Sequence, residues 1–206
     1  MANGKWLSTK NSRLSKYPLF VIVFLLLLIG VHRVLYFNAP PTFAQSLNQV
    51  RTGDLIFRQG KGLWSPYFAG LNAEAGYSHI GVLERDGEQL FVLHSDADDL
   101  TFEGGAQRTA LPQFIADSLK VEIRSNLMPE QARSRFVENL QAMVRHSTPF
   151  DGNFDLKDEG SEVYCTEFLW VAANKAGISD FGEIVNLAGR EVIFVDSFFH
   201  SKWLGQ

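Results

Sequence analysis

Between Ser78 and Ser95 apolar and polar positions alternate on both sides of Asp86-Gly87, as Ser-His-Ile-Gly-Val-Leu-Glu-Arg and then Glu-Gln-Leu-Phe-Val-Leu-His-Ser. Asp-Gly between two alternating runs predicts a β-hairpin, because a type I′ turn needs positive φ at both central residues. With Asp86 and Gly87 as the loop, Arg85 pairs with Glu88, Leu83 with Leu90, Gly81 with Val92, and His79 with His94. These positions share one face, and directly opposite residues have Cβ atoms about 4.5–5.5 Å apart. Two imidazoles are therefore expected side by side, while Ile80, Val82, Phe91 and Leu93 turn an apolar set to the other face.

The same patterns lay out the rest of the chain. Thr52-Gly53-Asp54-Leu55-Ile56-Phe57 reads as a turn opening a buried strand, and Ser65-Pro66 as an N-cap and first helical position of a short helix running toward Ala73. Asp96 to Gly105 is acidic and glycine-rich, and so a loop. Leu111, Phe114, Ile115 and Leu119 define a helical face, Val121 to Ile123 a strand, and Ala132, Phe136, Leu140 and Met143 a longer helix opened by Pro129. Phe150 to Ser161 is a second loop. Phe168, Leu169, Ala172, Ala173 and Ala176 then form the stripe of a helix that carries Cys165 in its first turn and stops at Gly177. Val192 to Val195 is read as a strand, and the aromatic tail after it gives no reading.

Pro18 to Phe37 is apolar except for His32 and Arg33. About twenty such residues span a bilayer, so residues 17–37 are expected to be a transmembrane anchor. Lys5, Lys10, Arg13 and Lys16 precede it, and the first acidic residue is Asp54. By the positive-inside rule residues 1–16 stay cytoplasmic and the rest is extracytoplasmic, periplasmic in a bacterial inner membrane. A signal peptide cleaved after Thr42-Phe43-Ala44 is the competing reading, with the same side assigned. Residues 38–51 form a linker and 52–206 one domain. That domain is clearly acidic, which excludes a basic nucleic-acid footprint; oligomeric state is not legible.

The chain holds one cysteine, Cys165. One thiol excludes an internal disulfide and a cysteine-rich zinc cluster. A helix N-terminus and a nearby imidazolium both lower a thiol pKa, so Cys165 as nucleophile, one histidine as base and another to orient it make a coherent set. Tyr-Ser-His-Ile-Gly at 77–81, Gly-Asp-Leu-Ile-Phe at 53–57 and Tyr-Cys-Thr-Glu-Phe at 164–168 resemble the permuted papain-like amidases of the YiiX and YaeF group, circularly permuted relatives of NlpC-type cell-wall peptidases. The order, His before Cys, is that of the permuted branch and of lecithin:retinol acyltransferase relatives. The resemblance implies Cys165 as nucleophile, His79 as general base and His94 as the third residue, a place associated with an acidic residue in this branch and with His in unpermuted relatives.

The fold expected is α+β and papain-like, a small antiparallel sheet packed against the helix bearing the cysteine. The backbone N–H of Cys165 is the natural oxyanion donor, with the Tyr164 or Tyr77 hydroxyl contributing. The function expected is hydrolysis of an amide through an acyl-enzyme, with cell-wall peptide as substrate and no cofactor. Ester cleavage or acyl transfer on lipids is the close alternative, and a non-catalytic binding module the distant one. A zinc site of His79, His94 and Asp96 or Asp98 is a further alternative, for which the sequence places no clear third ligand.

Overall fold

The computed structural model describes residues 23, 24, 27, 47–72, 74–156 and 160–205. Residues 1–39 and 40–206 form separate units. In the first, Val23, Phe24 and Leu27 are helical and exposed; the rest of the expected anchor, and the alternative cleavage site, lie outside the described residues. Among the described residues no helix is long and apolar enough to cross a membrane.

The second unit is an antiparallel sheet with helices on its faces, as expected. Its strands are β1 (Leu55–Gly60), β2 (His79–Asp86), β3 (Gln89–Ala97), β4 (Gly104–Ala110) and β5 (Ser118–Arg124), in the order β4-β3-β2-β1-β5. Helices α1 (Ser65–Leu71), α2 (Leu111–Ala116), α3 (Glu130–Arg145), α4 (Cys165–Lys175) and α5 (Val195–Phe199) connect and cover it, and β6 (Ile184–Leu187) pairs with β7 (Arg190–Ile193) as a separate ribbon.

Alternation along the strands divides the core in two. Leu55, Phe57, Ile80, Val82 and Leu93 pack against Phe136 and Leu140 of α3 and Phe168, Leu169 and Ala172 of α4. Ile56, Leu83, Val92, Val121 and Ile123 pack on the other side with Leu111 and Phe114 of α2. The aromatic tail closes the first core through Phe198, with Phe199 and Trp203 packed against it.

The hairpin forms with a different turn. Asp86 pairs with Gln89, Leu83 with Val92 and Val82 with Leu93, so Gly87 and Glu88 are the loop. Gly87 has φ +60° whereas Glu88 is not among the positive-φ residues. One glycine at the first central position is the type II′ solution. The register thus lies two residues from the one expected. Because side chains alternate with period two, each residue keeps its face, but this register, carried past its last pair of Val82 and Leu93, sets His94 level with Gly81 and not with His79. The two histidines are diagonal neighbours.

The loop expected from Asp96 to Gly105 is shorter, spanning residues 98–103, because β3 runs on to Ala97 and β4 starts at Gly104. Helix α1 begins one residue after Trp64 rather than after Ser65. Strand β7 ends at Ile193, and Val195 starts α5.

At Gly81, beside the two histidines, the sheet has no room for a side chain. A Cβ there would lie 2.5 Å from Val92 Cγ1, 3.1 Å from the Leu93 carbonyl oxygen and 3.2 Å from His94 Cβ. Gly81→Ala is expected to cost roughly 1–3 kcal/mol by overpacking, read as a lower urea midpoint at unchanged m-value. An unchanged midpoint would show that β3 yields freely at this point.

Candidate active site

Four strands place a polar row on the α2 face of the sheet. Arg58 of β1 pairs directly with His79 of β2. On β3, His94 and Asp96 point the same way, and Thr109 of β4 follows, since Val92 pairs with Thr109. His79 Nε2 and His94 Nδ1 are 2.9 Å apart, and His94 Nε2 lies 2.9 Å from Thr109 Oγ1. Phe114 roofs the row, 5.9 Å from the His79 ring, 5.1 Å from the His94 ring and 4.3 Å from the Arg58 guanidinium carbon.

Burial under this roof makes charge on the rings costly. Both histidines are buried, and both pKa values fall well below the usual 6.5, chiefly by desolvation. The Arg58 cation adds to the shift at each ring. At His94 the neighbouring ring acts in the same sense and Asp96 opposes it. Arg58 in turn donates to Asp96 Oδ2 at 2.6 Å. The pair is therefore two neutral imidazoles sharing one proton, not the imidazolium that the sequence suggested beside the thiol.

Cys165 arrives from the opposite side. Helix α4 packs across β2 and β3, and Ser95 Oγ donates to the Val163 carbonyl at 2.5 Å, fixing the chain just before the helix. The β2–β3 pairing ends at Val82 and Leu93. Beyond it the backbone N–H of Ile80, the residue after His79, is directed to the Cys165 sulfur, as is the N–H of Thr166. These donors and Arg58 lower the thiol pKa, but burial outweighs them and Asp96 adds to it, leaving the thiol pushed up to about 12. The expected low-pKa thiolate is thus replaced by a protonated thiol.

Cys165 and His79 line the same cavity of about 360 Å³, with Arg58, Asp96 and Tyr164. No hydrogen bond joins the thiol to His79 among the described residues. His79 Nε2 is committed to His94, so Nδ1 is the ring nitrogen left for another partner. His94 stands behind His79 and does not line the cavity. Of the tyrosines, Tyr164 is at the wall, where its hydroxyl accepts the Ile193 N–H at 3.0 Å. Tyr77 is not among the lining residues: its hydroxyl donates to Glu122 at 2.6 Å. The Tyr77 position in the motif is a core aromatic, packed 5.7 Å from both Phe57 and Phe199.

A metal ion needs free lone pairs. His79, His94 and Asp96 each offer one ligand atom, all within 4.8 Å of one another, so the third ligand that the sequence left open is Asp96. Yet the imidazole nitrogens already bond each other, Asp96 Oδ2 holds Arg58, and Asp96 Oδ1 accepts the Ala97 N–H at 3.1 Å. Arg58 is itself buried, with an Nε that lacks a hydrogen-bond partner. A dication would stand beside a second buried cation, and the residues as placed do not fit one.

No family model matches the sequence, and no curated protein matches it. Among solved structures, that of metalloprotein YiiX from Escherichia coli O157:H7 superposes with a TM-score of 0.62 at 20% identity, covering 76% of this chain and 96% of that one. The fold is that of YiiX. This agrees with the YiiX-group resemblance of the three sequence blocks.

Three residues of this site escaped the sequence. Thr109 lies on β4, a strand that the sequence did not predict. Arg58 and Phe114 carry no local signal of function, the first continuing a buried strand and the second reading as one apolar position on a helix face.

The neutral pair has a consequence for stability. A histidine in the unfolded chain titrates near 6.5, while both rings in the fold resist protonation. Below about pH 6.5 the unfolded state takes up protons that the folded state refuses. The stability conferred is complete above that pH and declines below it, by up to roughly 1.4 kcal/mol per pH unit for each ring. Melting curves from pH 8 to 5 are expected to fall more steeply for the native chain than for His79→Gln/His94→Gln. Parallel curves would contradict buried neutral rings.

Proposed function

We propose that this protein is a cysteine-dependent acyl hydrolase or acyltransferase, acting through Cys165, His79 and His94. The observation that carries the reading is the shared cavity. It brings a thiol at a helix N-terminus together with a histidine whose outer nitrogen is free and whose inner nitrogen is held by a second histidine.

The chemistry starts from neutral partners. If His94 Nε2–H donates to Thr109 Oγ1, His94 Nδ1 must accept from His79 Nε2–H, and His79 Nδ1 keeps a lone pair. That nitrogen takes the Cys165 proton as sulfur attacks the acyl carbon. The oxyanion that develops meets the Cys165 N–H, which has no acceptor within its own helix. The proton on His79 then passes to the leaving group, the acyl carbon stays on sulfur as a thioester, and water or another acceptor releases it.

From the sequence side, the expected bond is an amide in cell-wall peptide. The expected setting is the outer face of a bacterial inner membrane, with residues 17–37 as anchor. The apolar cavity walls favour the alternative of a lipid acyl group. The metal of YiiX is not carried over to this reading, because Arg58 already holds Asp96. Purified chain is expected to contain well under one equivalent of zinc. Stoichiometric zinc lost in Asp96→Ala would contradict that assignment.

Intact-mass measurement after mixing with p-nitrophenyl acetate tests the nucleophile. One acetyl adduct is expected on Cys165, absent in Cys165→Ala, with the acylation rate lowered about 10²- to 10⁴-fold in His79→Ala. Because the depressed pKa keeps His79 in its base form, acylation should hold through pH 6.5 and fall only below it. Absence of an adduct, or equal rates in native and His79→Ala chains, would remove the catalytic reading.

A further inference from the structure

We infer that Arg58 stands in for a metal ion: it is a fixed cation that neutralises Asp96, closes the set of His79, His94 and Asp96 to divalent metals, and so leaves the two rings free to pass a proton. The inference deepens the acyl-transfer reading, and the advantage it assigns to Arg58 rests on that reading.

Apart from the guanidinium, the donor set is close to that of a zinc centre. His79 Nε2 and His94 Nδ1 are 2.9 Å apart, and Asp96 Oδ2 lies 3.9 Å from His94 Nδ1. Two ligand atoms of a tetrahedral zinc ion, with bonds of about 2.0–2.1 Å, lie about 3.3 Å apart, which falls between those two distances. The outer nitrogen of His94 is held by Thr109 Oγ1 at 2.9 Å, the kind of support that orients a ligating histidine. The three residues sit on the neighbouring strands β2 and β3, so the sheet itself fixes their spacing.

Arg58 enters this set from β1, directly opposite His79. Its Nη2 donates to Asp96 Oδ2 at 2.6 Å, so the carboxylate oxygen that faces His94 is already bonded to a cation. The negative charge a metal would need is cancelled, and a dication would add its charge beside the guanidinium in a buried place, where like charges repel strongly.

Metal binding would also remove the base. A metal on His79 Nε2 would place the proton of that ring on Nδ1, the nitrogen that accepts from Cys165. Arg58 prevents this without using a lone pair of either ring, and the guanidinium does not lose its charge on burial.

Stability alone does not account for an arginine here. It is 8% exposed beneath Phe114, its Nη1 reaches the Phe114 carbonyl only at 3.4 Å, and its buried Nε has no partner. A buried donor left unpaired costs folding free energy, and exchanging a buried ion pair for apolar side chains is often neutral or stabilising. The preceding residues of β1, Leu55, Ile56 and Phe57, are all apolar and buried.

The test uses the full chain with Cys165→Ala, so that the thiol takes up no metal and the readout does not depend on acylation. Arg58→Leu, Arg58→Gln and Arg58→Leu/Asp96→Asn are added to this background. Each protein is equilibrated with zinc or cobalt(II), freed of loose metal by gel filtration, and assayed for bound metal and for the visible bands of tetrahedral cobalt. The expected result is far below one equivalent on the Cys165→Ala parent, about one equivalent with those bands on each neutral Arg58 variant, and loss of that metal on adding Asp96→Asn. Stoichiometric metal on the parent, metal kept after Asp96→Asn, or no gain on whichever neutral variant melts cooperatively would overturn the assignment. The predicted gain together with a native Cys165 that no ester acylates would leave Arg58 as the metal-excluding cation and remove only the catalytic reading.

Discussion

The hydrogen bond between His79 Nε2 and His94 Nδ1 is the constraint around which this domain is arranged. Ring nitrogens of two imidazoles can face each other at 2.9 Å only if one donates its proton to the other's lone pair, and burial keeps both of these rings neutral. The surroundings meet that condition. Phe114 excludes water from above, Thr109 satisfies the far nitrogen of His94, and Asp96 is occupied by Arg58 instead of stabilising an imidazolium. The side chain missing at Gly81 leaves the space into which His94 fits, with its Cβ only 3.2 Å from where an alanine Cβ would stand.

The chemistry at the cysteine follows from the same burial. An enclosed thiol and an enclosed neutral imidazole disfavour a resting ion pair, so the proton moves during attack, as it does between a serine and its histidine. The helix N-terminus then contributes less by ionising the thiol than by presenting backbone N–H groups to charge that develops later. Opening of the β2–β3 ladder beyond Val82 and Leu93 gives the sulfur access to the Ile80 N–H, next to the base.

Much of this was legible in the sequence, and the limits have physical causes. Alternation around Asp86-Gly87 fixes which residues share a face, because a shift of two residues preserves it. Which residue lies opposite His79 depends on the turn, and Asp-Gly is compatible with glycine at either central position. The helix bearing Cys165 was legible from its apolar stripe and Gly177 stop. Strand β4 was not, since Gly104-Gly105-Ala-Gln-Arg-Thr-Ala has loop composition and becomes a strand through pairing with β3, and Thr109 was lost with it. Tyr77 stands two residues before His79, yet its ring belongs to the core, and motif proximity alone does not separate those roles. The segments β6 and α5 form where the chain returns over the cavity and the first core, contacts with no local signal.

The most direct test of the neutral relay is the ¹⁵N spectrum of the histidine rings in the native chain at pH 7. The account predicts two neutral buried imidazoles, with the His79 proton on Nε2, the His94 proton on Nε2, and a scalar coupling across the hydrogen bond between the rings. A protonated His79, or a neutral His79 with its proton on Nδ1, would contradict it, because that nitrogen would then have no lone pair to take the proton of Cys165.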